Sequence, residues 1–198
     1  MTTVIKRDGS REDLNIDKLH KVVFAACDGI NGVSASEVEI KSQIQFFDGI
    51  KTVDVQETLI KSAADLISEE TPNYQWVAGR LINYHLRKMV YGQFEPIHLI
   101  DLVKKNVVAG FYDSEILKAY SRAEFNKLNS YIKHQRDDTL TYAAMEQFRG
   151  KYLVQNRVTK EIFETPQMAY MLIAMTLFQS YPKETRIKWV KDYYDAIS

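Results

Sequence analysis

Only four prolines interrupt this chain of 198 residues, and three of them, Pro72, Pro166 and Pro182, stand at or beside the start of an apolar pattern of helical period. Proline's fixed φ and missing amide suit the first turn of a helix and break its interior, so this placement predicts long helices with marked beginnings. The first fifteen residues are the exception. Thr3-Val4-Ile5-Lys6 and Arg11-Glu12-Asp13-Leu14 flank Asp8-Gly9, a dipeptide that tolerates the positive φ of a tight turn, and together they predict a β-hairpin.

Beyond the hairpin, Leu14, Leu19, Val22, Val23 and Ala26 recur at helical spacing, with Asn15 or Asp17 as cap and an end near Gly29. Ser34-Ala35-Ser36-Glu37 has the capping-box pattern and opens a second helix to about Phe47, stopped by Asp48-Gly49. Thr52 is placed to cap a third helix through Ile67, and Thr71 with Pro72 to start a fourth that reaches about Val90. Tyr91-Gly92-Gln93-Phe94-Glu95-Pro96 sets a Gly and a Pro between periodic segments, so the expected domains are 1–92 and 93–198. The second holds helical patterns at about 96–110, 113–120 and 122–148. A hairpin follows, with Tyr152–Asn156 and Glu161–Glu164 around Val158-Thr159-Lys160, and then helices from Pro166 to about Gln179 and from Pro182 to the last residues. The expected fold class is mainly α: a hairpin over four helices, then a second helical unit with its own small hairpin.

The 26 basic side chains are balanced by 26 acidic ones; residues 1–92 carry 11 and 13, a net −2, and the remainder +2. No domain-wide field attracts a polyanion, which argues against a nucleic-acid partner and requires any phosphate site to be local. No run approaches the ~20 apolar residues of a membrane helix, and Met1-Thr2-Thr3-Val4-Ile5-Lys6 is no secretory leader, so a cytoplasmic protein is expected. Cys27 is the only cysteine. It excludes an internal disulfide, a paired-thiol redox centre and a multi-cysteine zinc site, and on the apolar side of the first helix it reads as a buried structural thiol.

Lys6-Arg7-Asp8-Gly9, followed by Glu12, Asn15 and Lys18, puts two cations on the hairpin and a third on the first turn of the next helix. Arg offers a planar fork of donors and Lys a compact charge, so the three suit a triphosphate, although by charge alone the same residues also read as a solvated turn. The third helix carries Thr52, Val55, Gln56 and Leu59 at i, i+3, i+4 and i+7, and the fourth carries Tyr84 and Lys88 at i, i+4. Val55, Leu59 and Tyr84 read equally as core. Both readings hold together where an adenine needs an apolar slot beside a few polar groups.

Val4-Ile5-Lys6-Arg7-Asp8-Gly9, Glu12, Asn15, Lys18, Asp48-Gly49-Ile50-Lys51-Thr52 and Tyr74-Gln75-Trp76-Val77-Ala78-Gly79-Arg80-Leu81 resemble the ATP-cone module of the class Ia ribonucleotide reductase large subunit. The likeness continues through His85-Leu86-Arg87-Lys88, Tyr91–Pro96, Lys151–Arg157, Tyr181–Arg186 and Tyr193–Ser198, which are similar to that family's following helical region. The resemblance implies an overall-activity switch that binds ATP or dATP with Mg²⁺. Lys6, Arg7, Lys18 and Lys88 would face phosphates. Glu12, Asn15 and Thr52 would supply polar contacts, and Val4, Leu14, Leu19, Phe46, Val55 and Tyr84 would wall base and sugar. The implied partners are the catalytic barrel of the large subunit and the radical-generating small subunit, joined as an oligomer.

One position departs from the family pattern: Gln56 stands where many dATP-inhibited members have His, removing a group able to become cationic. Asp54 and His85 match the family and are placed to pair, but a structural histidine, satisfied within the core, is the reading favoured for His85. The family's reacting cysteines lie beyond the matched region, so this polypeptide alone is expected to be inactive as a reductase. The alternative reading is a structural fragment that completes a split large subunit without sensing nucleotide. An ATP-cone repressor is disfavoured because those proteins carry a four-cysteine zinc ribbon, and an ATPase because there is no G-x-x-x-x-G-K-[ST] loop and no evident base to orient a water.

Overall fold

The computed structural model describes residues 2–198 and is mainly helical, with ten α-helices and a three-stranded sheet among the described residues. Its contacts define two compact units, one of residues up to His85 with Asp138–Glu146, the other of Leu86–Asp137 with Gln147–Ser198. Gly92 to Pro96 does end a helix, but the units divide inside that helix. No described helix is long and apolar enough to cross a membrane.

In the first unit, β1 (Thr3–Ile5) and β2 (Arg11–Asp13) pair antiparallel with Val4 opposite Glu12. Gly9 at φ 84° makes the turn, and the Asp8 carboxylate accepts from the Ser10 amide and hydroxyl at 2.9 and 2.6 Å. A third strand, β3 (Ile50–Lys51), was not legible in the sequence; it pairs parallel with β1, Val4 to Ile50 and Ile5 to Lys51. Thr3 holds it there, donating from its amide and hydroxyl to Asp48 Oδ1 at 2.8 and 2.7 Å.

Besides the returning segment Asp138–Glu146, the unit holds α1 (Ile16–Cys27), α2 (Ala35–Gln43), α3 (Thr52–Ala64) and the part of α4 (Tyr74–Tyr91) up to His85. Val23 and Ala26, Val38, Val55, Leu59 and Ala63, and Val77, Ala78 and Leu81 form their common core. Asn15 caps α1, accepting from the Lys18 amide at 2.9 Å. Ser34 caps α2, but the capping box is half made: Glu37 turns its carboxylate to the Tyr74 hydroxyl instead. Thr52 is the first residue of α3 and not its cap, a place held by Lys51. The second and third helices end at Gln43 and Ala64, short of Phe47 and Ile67, because the chain tightens into i+3 turns there.

The single helix expected over 122–148 is not formed. The chain runs as α7 (Arg122–Tyr131), a 3₁₀ turn (His134–Thr139), α8 (Tyr142–Gln147) and a π turn (Phe148–Tyr152). The physical reason lies within the first unit, where the Leu140 carbonyl presses on the bare α-carbon of Gly79: an added Cβ there would stand 2.1 Å from Leu140 O. Asp138 joins the same packing, its carboxylate accepting from Asn83 at 2.8 Å and its carbonyl from Arg80 at 3.2 Å. A continued helix would withdraw these groups.

The second unit contains α5 (Leu99–Val108), α6 (Glu115–Ala119), α7, α9 (Pro166–Phe178) and α10 (Lys183–Ile197), with Pro166 opening α9 as expected and Pro182 capping α10. The second hairpin shrinks to one bridge, Gln155 to Ile162, its turn passing through Lys160 at φ 62°. Arg186 anchors α10 to α7 through a two-pronged pair with Glu124, 2.7 Å on each nitrogen. Tyr194 is buried, with its hydroxyl on the Gln167 side chain at 2.5 Å.

Candidate functional site

The parallel pairing of β3 with β1 positions the candidate site. Because Ile5 lies opposite Lys51, the hairpin tip at Lys6 and Arg7 runs beside the first turn of α3, whose N-cap Lys51 makes no side-chain capping bond. A helix start leaves backbone amides pointing outward with a partial positive charge, and here the strand register leads two cationic residues up to it. Thr52 is the first residue of that turn and Gln56 lies one turn on; both are half-buried, above buried Val55. Lys51 adds a cation that was not legible in the sequence, because its place depends on a pairing between residues 46 positions apart.

Lys6 forms an ion pair with Glu12 across the hairpin at 2.5 Å, and the bond to that carboxylate, reinforced by its charge, raises the Lys6 pKa. Both side chains are about 40 % exposed, 43 % and 40 %, so water screens the pair and an incoming phosphate competes with it readily. Val4 is buried in β1 and Leu14 half-buried just after β2. Asn15 and Lys18 are exposed at the start of α1 above buried Leu19, and the Asn15 side chain is engaged as the helix cap. Phe46 is half-buried in the turn after α2.

Two residues stand apart. The Tyr84 hydroxyl reaches the Ala25 carbonyl at 3.4 Å, near the end of α1 opposite Lys18 and about 10 Å along the helix from it. There it shares work with Arg80, which donates to the carbonyls of Ala26 and Asp28 at 3.2 and 2.6 Å and so closes the helix end. Lys88 lies one turn beyond Tyr84 on α4, exposed, in the part of the helix that belongs to the second unit.

The Asp54–His85 pair is not formed, and His85 is buried, as the structural reading has it. Buried His85 faces Glu57, Nε2 to Oε1 at 3.5 Å, on the same face of α3 as Asp54 but nearly one turn further on, and Asp54 is exposed. Cys27 ends α1 half-buried and not fully buried; desolvation pushes its thiol up to about 11, so at neutral pH it is not a nucleophile.

Comparison with known proteins shows the family of both parts of the chain. Residues 2–89 match the ATP cone domain, and residues 138–198 match the ribonucleotide reductase all-alpha domain. The chain is 54 % identical over 195 residues to the ribonucleoside-diphosphate reductase 1 subunit alpha of Escherichia coli, covering 98 % of this chain and 26 % of that one. It is 52 % identical to the corresponding alpha subunit of Haemophilus influenzae, again over 98 % and 26 %. Against that of Helicobacter pylori the figures are 36 %, 100 % and 24 %. The chain thus spans about a quarter of the length of these relatives.

Proposed function

Because the chain belongs to the N-terminal region of ribonucleotide reductase alpha subunits, an ATP cone followed by the all-alpha domain, we propose that it is the part of such an enzyme that senses ATP and dATP and sets overall activity. The observation that carries this reading is the β1–β3 register, which lines Lys6 and Arg7 up with the uncapped start of α3 inside the ATP-cone match. A triphosphate there is met by Lys6, Arg7 and Lys18 and by the amides of the helix start. Glu12, Asn15, Thr52 and Gln56 surround it with polar groups, and Val4, Leu14, Leu19, Phe46 and Val55 supply apolar surface for base and sugar. Tyr84 and Lys88 enter this reading by resemblance alone. Mg²⁺ would arrive with the nucleotide, held by phosphate oxygens and water. The catalytic barrel and the radical-generating small subunit are the proposed partners. Phe24, Ile40, Ile44 and Phe47, exposed on or just after α1 and α2, form the kind of apolar surface on which subunits associate.

Removing one charge-assisted donor to the triphosphate is expected to weaken ATP about 10- to 150-fold. Thermal denaturation of Arg7→Ala and Lys6→Ala with graded ATP and Mg²⁺ measures this, since a ligand of the folded state raises the transition by mass action. If both variants respond to ATP like the parent chain, the site lies elsewhere.

Gln56 sets the expected response to dATP. A switch works only where the two nucleotides favour different assemblies, and without an imidazole at this position the dATP-specific assembly is expected to be weak. Gln56→His should strengthen it, as read by sedimentation of reconstituted large and small subunits. A large dATP complex already formed with Gln56 in place would contradict this assignment.

A further inference from the structure

Away from the proposed nucleotide site, the second unit holds a cavity of about 510 Å³ between α9, α6 and the Phe111–Tyr112 and Tyr152–Val154 segments. Its size lies in the range that takes small organic molecules. Aliphatic and aromatic groups make most of its wall, including Phe111, Tyr112, Leu172 and Ile173. Three carboxylates line it, Asp113, Glu115 and Glu164, and no Lys, Arg or His does.

Glu164 is the anomaly. It is 4 % exposed, and its bonds are to neutral donors: the Val154 amide at 2.9 Å on one oxygen and the Tyr112 hydroxyl on the other. No cation pairs with it among the described residues. Buried glutamates are ordinarily paired with one, since desolvating a carboxylate without an opposite charge is expensive. Burial accordingly raises the Glu164 pKa, the two hydrogen bonds opposing that rise only in part. Each carboxylate oxygen can accept a second hydrogen bond. Glu115 is already engaged with Lys118 at 2.6 Å, and Asp113 accepts from the Glu115 amide at 2.9 Å, so both are held by other partners.

We propose that this cavity binds a small amphipathic ammonium compound, its charged nitrogen on Glu164 and its apolar body against Phe111, Leu172 and Ile173. The rigid, hydrogen-bonded placement of Glu164 selects the cation, and the apolar wall selects a carbon body of about eight heavy atoms over a bare polyamine. The site is independent of the nucleotide reading, and each stands if the other fails.

The test uses 2-phenylethylammonium and its neutral isostere 2-phenylethanol, titrated into the ¹⁵N-labelled chain and followed by amide shifts. The cation should bind at least about tenfold more tightly than the alcohol, the worth of a charge-assisted hydrogen bond, with the largest shifts at Val154 and around Tyr112. Glu164→Gln should make the two probes equal. Ile173→Trp, at a half-exposed wall position that tolerates the larger ring, should displace both and serves if the Glu164 variant does not fold. Equal affinity of the two probes for the unaltered chain, or shifts that spare the cavity, would overturn the proposal.

Discussion

Gly79→Ala is expected to destabilise the first unit by about 3 kcal/mol or more, a fall in melting temperature of about 6 to 12 °C. The sign makes this prediction sharp. Gly79 lies inside α4, where intrinsic helix propensity favours alanine by about 1 kcal/mol, so on propensity alone the substitution stabilises. The structure reverses that outcome. A Cβ at Gly79 would stand 2.1 Å from Leu140 O and 3.0 Å from the Thr141 carbonyl carbon, and both neighbours are backbone, which cannot rotate aside. Relief requires the Leu140–Thr141 segment to lift off α4, which strains the Asn83–Asp138 and Arg80–Asp138 bonds beside it. Urea or thermal unfolding of the single variant is sufficient, and an unchanged or raised midpoint would show that this close approach does not hold the unit together.

The second large effect is expected at Arg186. Its side chain is 4 % exposed, pairs with both oxygens of Glu124 and lies 4.5 Å over the Tyr120 ring. Glu124 is at the same time half of the capping box of α7, accepting from the Ser121 amide at 2.8 Å. Arg186→Ala therefore leaves a poorly solvated carboxylate and loses the bridge between α7 and α10, and should cost about 3–5 kcal/mol. Arg186→Met with Glu124→Gln should recover part of it, because no buried charge is then left alone. Burial pushes the Glu124 pKa up, but the Ser121 amide, then Arg186 and the Ser121 hydroxyl, outweigh it and hold the carboxyl below its ordinary value of 4.5. A depressed folded-state pKa contributes stability that is fully present above pH 4.5 and is lost as pH falls through the folded value. The difference in stability between the parent chain and Glu124→Gln should therefore shrink below that pH, as urea midpoints measured from pH 6 to 3 will show. A difference constant over this range would remove Glu124 as the titrating group.

The features legible in the sequence are those that neighbouring residues determine. Asp8-Gly9 turned where its φ preference demands, Asn15 capped α1, and Pro166 opened α9, because each rests on geometry within a few residues. What was not legible depends on distant partners. β3 is two residues long and exists only because β1 pairs with it. The apolar period over 122–148 suits a helix, yet the chain bends to lay Leu140 on Gly79, a demand set by α4. The same limit governs the site. The cationic hairpin and the Thr52–Gln56 turn were visible as separate pieces, whereas their alignment through the β1–β3 register, the cation at Lys51 and the turning of His85 toward Glu57 were not. Tyr84 was visible as a helical neighbour of Lys88, but its hydroxyl serves the end of α1.

On the proposed reading, this cone holds a nucleoside triphosphate where the hairpin tip meets the start of α3. Calorimetric titration of the chain with ATP, and separately with dATP, in the presence of Mg²⁺ tests it most directly. Saturable heat with both nucleotides is predicted, with ATP affinity reduced about 10- to 150-fold in Arg7→Ala. A folded chain that gives no saturable heat with either nucleotide, or an Arg7→Ala variant that binds as the parent does, would contradict it.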